Sequence, residues 1–330
     1  MRRYIVRRLL QSVVILFVLS VVVFLLLRVA PGAKPWELKC GLGCTKERLA
    51  ALKEEMGGNN PYFPISFQKS AAFIQFNGTS QYWSWVKELS SGSLGRDWNN
   101  APVGPELQRR LPVTLELLTI TTLVTIAVGV PFGIISAVMR NSPADYGARL
   151  SAILGLAVPN FWLAILMVYF LVLLFGWLPP LGYVNLWQDP GKNLQQLIFP
   201  AIALGFFNMA FIARVTRSSM LEVLREDYIR TARSKGLTEP KIINRHALKN
   251  ALLPVVTVSG YEFGRLIAGT VVIESIFLVP GVGRMLIDAV FHRDYPLIQA
   301  VIVVITVLVL AMNLALDVLY GWLNPRIRYT

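Results

Sequence analysis

From Leu9 to Leu27 the chain reads "LLQSVVILFVLSVVVFLLL", with no charged residue. As a helix at about 1.5 Å per residue, a run of ~19 residues reaches about 28 Å, which matches the hydrocarbon core of a bilayer. Four arginines, Arg2, Arg3, Arg7 and Arg8, precede it. The run is longer than a signal-peptide core and no A-x-A site follows, so it reads as a retained span. Five more apolar runs lie at roughly 113–139, 150–177, 196–216, 251–276 and 297–321. Pro131, Pro159 and Pro200 fall inside or at the ends of these runs. Such prolines are tolerated where neighbouring helices satisfy the freed carbonyls. The expected fold is all-α: a polytopic membrane protein with six transmembrane helices.

The stretch of about 31–111 is polar and irregular, and reads as a small extracytoplasmic insertion after the first helix. In "TKERLAALKEEMGG" Thr45 caps a short helix, Leu49, Leu52 and Met56 share a face, and Gly57 stops it. "SQYWSWVKELSSG" predicts a second helix.

Charge sets the orientation. With the N-terminus inside, the cytoplasmic pieces 1–8, 140–149, 217–250 and 322–330, with Arg214, carry about 17 Lys and Arg. The short external loops 178–195 and 277–296 carry about three. The 31–111 segment is also basic, but long loops cross largely regardless of charge. Both termini are therefore expected on the cytoplasmic side, as an even number of spans requires.

The net charge of +13 suits anionic lipid headgroups. There is no zinc-finger spacing and no interleaved basic and aromatic platform, so no nucleic acid is expected as a partner. Two cysteines and two histidines are too few for a Cys/His metal cluster. No G-x-x-x-x-G-K-[ST] occurs, so the chain has no P-loop for ATP. No cofactor is expected. An intramembrane protease needs a nucleophile and base at membrane depth, and both histidines, His246 and His292, fall in loops.

The longest cytoplasmic loop holds "MLEVLREDYIRTARSK". Leu221, Leu224, Tyr228 and Ala232 recur at helical spacing, predicting one amphipathic helix that Gly236 caps and Pro240 ends. "ARVTRSSMLEVLREDYIRTARSKGL" followed by "RHALKNALLPVVT" resembles the cytoplasmic loop of permease subunits in oligopeptide/dipeptide-type ABC importers. "GVGRMLIDAVFHRDYPLIQA", "RRYIVRRLLQS" and "LNPRIRY" fit the same family. Importers carry a Glu-Ala-Ala, three residues, Gly, then Leu-Pro. Here Thr231-Ala232-Arg233 takes the first positions, Gly236 the glycine and Leu253-Pro254 the end.

The resemblance implies a type I ABC importer permease fold, multi-pass in the cytoplasmic (inner) membrane of a bacterial or archaeal cell. It divides the chain into a tail and first helix (1–30), an extracytoplasmic subdomain (31–112), a five-helix transmembrane domain (113–321) with the coupling loop 217–250, and a tail (322–330). It implies a coupling helix that docks in a cytoplasmic ATPase through Glu226, Asp227, Tyr228, Arg230, Thr231, Ala232, Arg233 and Gly236. It implies as partners a second homologous permease, two ATPase subunits and an extracytoplasmic solute-binding protein. ATP hydrolysis would belong to those subunits, and the chain itself would be no enzyme. The cargo would be di- or oligopeptides; related systems move nickel chelates, glutathione or oligosaccharides. The competing reading is a standalone ion-coupled transporter, for which no clear internal repeat is visible. A membrane-anchored binding module would need only one span.

In "GYEFGRLIAG", Glu262 and Arg265 lie about 16–21 Å into the fifth span, near the midplane. Each charge there costs about 2.5–3.5 kcal/mol. Either they line a solvated translocation path or they neutralise each other at i,i+3. Gly260, Gly264 and Ala268 form a small-residue stripe suited to close packing. Glu116 and Asp317, near span ends, read as interfacial or packing residues. Cys40 and Cys44 in "CGLGC" would face an oxidising compartment, as a disulfide or as two free thiols.

Overall fold

The computed structural model describes residues 2–29, 35–40, 44–55, 58–63, 65–67, 74–76, 80–180 and 182–323. Met56, the stop expected at Gly57 and the tail "NPRIRY" lie outside these residues.

The chain begins with α1 (Arg2–Val29), then α2 (Pro35–Cys40), α3 (Lys46–Glu55) and α4 (Gln81–Ser90). Between α3 and α4, β1 (Ile65–Phe67) pairs antiparallel with β2 (Ile74–Phe76), Ile65 opposite Phe76. This two-stranded ladder is a small departure from an all-helical chain. The long helices follow: α5 (Val103–Val138), α6 (Pro143–Ala157), α7 (Asn160–Phe175) and α8 (Pro190–Val223). After them come α9 (Asp227–Ser234), α10 (Glu239–Lys241), a π-helical turn (Ile242–Ala247), α11 (Leu248–Ile276), α12 (Val282–Phe291) and α13 (Tyr295–Leu323).

Among the described residues, five helices are long and apolar enough to cross a membrane, and the pair α6/α7 brings the number to six if counted as one span. The run expected at 150–177 is not one unbroken helix: α6 and α7 meet at 106°. Val158, before Pro159, is extended at φ −87°, ψ 123°. A proline ring clashes with a helical residue before it, which ends α6 there. Pro112, Pro131, Pro200 and Pro254, by contrast, stay inside α5, α8 and α11. The outer helices also overrun their expected bounds. α5 has 36 residues and reaches about 54 Å.

The chain divides into two compact units. The first comprises residues 1–109 and 286–310. Phe24, fully buried, packs edge-on against Tyr82 at 5.3 Å and Phe63 at 5.7 Å. Ser20 shares a 2.8 Å hydrogen bond with the Tyr82 hydroxyl. Ser80 caps α4 by accepting the Trp83 N–H, and Thr45 accepts the Arg48 N–H as expected. Asp294 accepts the N–H groups of Trp98 and Leu297. Burial holds its carboxyl above the usual range, against the pull of those two donors.

The second unit comprises residues 110–285 and 311–330. Its central helix is α8, which packs against α6, α7 and α11. Small residues permit close approach. A Cβ built on Gly129 would meet the Met209 carbonyl at 2.8 Å, and one on Gly133 would meet that of Ala213 at 2.5 Å. The α5 and α8 backbones are therefore in near contact, the arrangement by which helices associate where no hydrophobic effect separates them from lipid.

Candidate functional site

The 217–250 loop is built in two pieces where one helix was expected. α8 continues to Val223, the chain turns at Leu224–Arg225, and Glu226 at φ −65°, ψ 147° starts α9. The reset changes which residues face inward. Ile229 is fully buried and Ala232 nearly so, whereas Tyr228, expected on the apolar face, is exposed. Ile229 and Ala232 pack with Ala137, Met220, Ile242, Ala247 and Ala251, from α5, α8, the π-turn and α11. The apolar face of α9 is thus covered by the chain itself.

The other face is open. Glu226, Asp227, Tyr228, Arg230, Thr231 and Arg233 are all exposed. Arg230 lies 3.4 Å from Asp227, and Arg233 pairs with Glu239 at 2.7 Å. Gly236 has φ +74°, a left-handed conformation that glycine adopts without strain. It closes α9 as expected, its N–H donating to the Arg233 carbonyl at 2.9 Å. Pro240 does not simply end the helix; it opens α10 at its first turn. The Asn250 amide donates to the Tyr228 hydroxyl at 2.8 Å and the Ser219 hydroxyl to the Ala251 carbonyl at 2.9 Å. These bonds tie α9 and α8 to α11.

Glu262 and Arg265, one turn apart on α11, are brought together at 3.1 Å. Their exposures differ: the Glu262 side chain is 7% exposed and that of Arg265 61%. Arg265 also lies 6.0 Å from the Phe207 ring. Gly264 sits where a Cβ would be 3.0 Å from Asn313 Oδ1 of α13. Glu116 accepts the Tyr183 hydroxyl in a short contact, and Asn193 donates to the same hydroxyl at 3.2 Å. Burial first, and the Glu116 carboxylate second, push the Tyr183 phenol above its usual range. Asp317 falls on α13. The sulfurs of Cys40 and Cys44 are joined, with Cα atoms 5.5 Å apart.

Two fully buried carboxylates among the described residues were missed by sequence reasoning. Asp145 is fully buried and takes both Arg217 Nε at 2.9 Å and the Ser136 hydroxyl at 2.6 Å. Glu274, also fully buried, accepts the Thr114 hydroxyl at 2.7 Å and the Arg284 N–H at 3.0 Å. Thr114 in turn accepts the Val282 N–H. A signal existed: a lone acid at the end of an apolar run, followed by "PGVG", whose glycines let backbone crowd a carboxylate. A Cβ on Gly281 would fall only 2.3 Å from it.

The arrangement is a membrane bundle carrying a short charged helix rigidly fixed to two long ones. Residues 129–329 match the model of the binding-protein-dependent transport system inner membrane component, and residues 1–118 that of its N-terminal region. A putative peptide transport system permease protein of Brucella abortus (strain 2308) is 39% identical over all of both chains. The oligopeptide transport system permease protein AppB of Bacillus subtilis (strain 168) is 36% identical over all of both chains. Among solved structures, the MetNI methionine ABC transporter in inward-facing conformations has a similar fold, with a TM-score of 0.53 over 66% of this chain and 96% of that one, at 18% identity. The chain belongs to the binding-protein-dependent transport family, as an inner-membrane, multi-pass permease of the oligopeptide/dipeptide ABC importer type.

Proposed function

We propose that this chain lines half of the pathway of an ATP-driven importer, with a second similar permease as the other half. Two cytoplasmic ATPase subunits and an extracytoplasmic solute-binding protein complete the assembly. The observation that carries this reading is the build of α9. Its buried face is fused to α8 and α11 through Ile229 and Ala232, and its charged face is open. A helix held this way passes on a rigid-body push that a flexible loop would absorb. Asp227, Arg230, Thr231 and Arg233 are then the residues that meet the ATPase, and Arg fits carboxylates there. Ala232 acts from inside, as the packing residue under them.

The cargo is a di- or oligopeptide. Relatives named as peptide, dipeptide and oligopeptide permeases, 36–39% identical along the whole chain, support this. A second reading is glutathione, because a glutathione transport system permease protein, GsiC of Escherichia coli, is 37% identical over 100% of both chains.

The test of coupling is Gly236→Trp. A bulky residue at positive φ costs about 1–3 kcal/mol locally. The variant inserts normally, while peptide uptake and cargo-stimulated ATP hydrolysis fall together. Unchanged uptake refutes the role.

The 217–250 loop and both termini lie on the cytoplasmic side in this scheme, and Cys40 and Cys44 form a disulfide outside. A membrane-impermeant thiol reagent decides both points. It labels intact cells only after reduction; labelling without reduction excludes the bridge, and no labelling after reduction excludes the orientation.

A further inference from the structure

Between α5, α6 and α8, at the end of α8 that leads into the 217–250 loop, lies a groove of about 390 Å³. Its walls include Phe132, Ala152, Ile153 and Leu156, together with Arg149, Arg214 and Arg217. Arg217 is committed, with Nε and one terminal nitrogen on the two oxygens of Asp145 at 2.9 and 3.0 Å. Arg149 and Arg214 are not. Among the described residues no carboxylate lies within ion-pair distance of either. Each instead stacks beside a ring, Arg149 at 5.6 Å from Tyr146 and Arg214 at 5.2 Å from Phe211.

Two cations beside an apolar groove of a membrane helix bundle call for an anion, since charge near hydrocarbon is costly until paired. A guanidinium over a ring still has its N–H groups to donate, and those fit phosphate oxygens in pairs. The groove itself selects the kind of anion. A free phosphate needs no apolar wall, whereas an amphiphile fills one. α6 also carries exposed Tyr146, Leu150, Ile153 and Leu154 beside the groove, an apolar surface across which a lipid can enter sideways.

We propose that this groove binds an anionic phospholipid, its phosphodiester held by Arg149 and Arg214 and the start of one acyl chain lying against Phe132, Ile153 and Leu156. Basic pockets between spans on the cytoplasmic side suit such headgroups. The site is independent of the cargo. It bears on coupling, because Ser218 and Leu221 line both this groove and the depression beside Glu226 and Asp227. A bound headgroup therefore lies against the last turns of α8, the helix that leads into α9.

The test is native mass spectrometry of the delipidated full chain, titrated with phosphatidylglycerol, phosphatidylcholine or inorganic phosphate. Phosphatidylglycerol binds and survives an excess of inorganic phosphate, and phosphatidylcholine binds more weakly. Arg149→Gln with Arg214→Gln weakens phosphatidylglycerol binding about tenfold, at the scale of one to two lost headgroup charges. Ala152→Trp, which fills the groove and keeps both charges, weakens it as well. Arg149→Lys with Arg214→Lys keeps the charge and stays within about threefold, which shows that the glutamine pair acts through charge rather than misfolding. Equal affinity for the two lipids, displacement by inorganic phosphate, or unchanged binding by either the glutamine pair or Ala152→Trp overturns the proposal. So does efficient cross-linking from Ile153→Cys to a second permease subunit in native membranes, which would make the groove a protein interface.

Discussion

Asp145 and Glu274 are both fully buried carboxylates, satisfied in opposite ways. Asp145 is met by a cation, with Arg217 on both oxygens. Glu274 accepts hydrogen bonds from neutral donors, the Thr114 hydroxyl and the Arg284 backbone N–H, and the Arg110 charge acts on it without a direct hydrogen bond to its carboxylate among those described. Removing the cation strands a charge, which costs about 3–5 kcal/mol in a dry interior. Arg217 is 23% exposed, so water relieves part of this, and Arg217→Met should cost about 3 kcal/mol. Glu274→Gln keeps the shape but turns an NH₂ toward a donor, at about 1–3 kcal/mol. Thermal unfolding in detergent should rank Arg217→Met as the more damaging, and a double Asp145→Leu, Arg217→Met should recover most of that loss. The reverse ranking would mean that the Glu274 cluster is the stronger clamp. Glu262 and Arg265 were legible because they interrupt an apolar run. Asp145 and Glu274 were not, because each stands at the end of a run, where an acid looks like any interfacial residue. For Glu274 the one local signal was the following "PGVG"; the partners Arg217 and Thr114, far away in sequence, show the rest.

The order of the long elements was legible from hydropathy alone, and their ends and bends were not. Membrane thickness fixes how many residues must be apolar, but says nothing of a helix that continues into water, as α5 and α8 do. Nor does apolarity report a bend. Residues 150–157 and 160–175 are equally apolar, and the turn between them depends on Val158 and on the Asn160 amide reaching the Leu204 carbonyl at 3.1 Å. The reset at Glu226 escaped for a related reason: Leu221, Leu224 and Tyr228 kept a helical period across a break. Helix contacts divide the glycines in the same hidden way. Gly133 faces the Ala213 carbonyl at 2.5 Å, whereas Gly147 on α6 is exposed with nothing within 4 Å. Gly133→Ala should destabilise by about 1–3 kcal/mol, because backbone on the far side must move. Gly147→Ala should stabilise by about 0.5–1 kcal/mol, by restricting the unfolded chain. Melting temperatures that move the same way for both would show that α5 and α8 are not in contact at Gly133.

At the scale of the whole molecule the question is where cargo passes, and Arg265 offers the lead. Its side chain is 61% exposed while its partner Glu262 is buried. A guanidinium at that depth does not face lipid, given a cost of about 2.5–3.5 kcal/mol even by insertion scales. In the proposed assembly it would then face water in the pathway or a polar surface of the second permease. If it faces the pathway, Arg265 meets the carboxylate end of a passing peptide and Glu262 holds the guanidinium in place. Binding there is weak by design, since a tight site would trap cargo. Neutralising either residue alone should hurt twice, by losing the contact and by stranding the other charge. The double change Glu262→Gln with Arg265→Gln separates the roles. A pair that only neutralises itself regains folding and transport together in the double variant. A pair that serves the pathway gives a stable, assembled permease whose uptake stays low or shifts toward cargo lacking a free carboxylate. Uptake assays with free and amidated peptides, alongside quantified expression, read both outcomes. Near-normal uptake of every cargo by the double variant would remove the pair from the pathway.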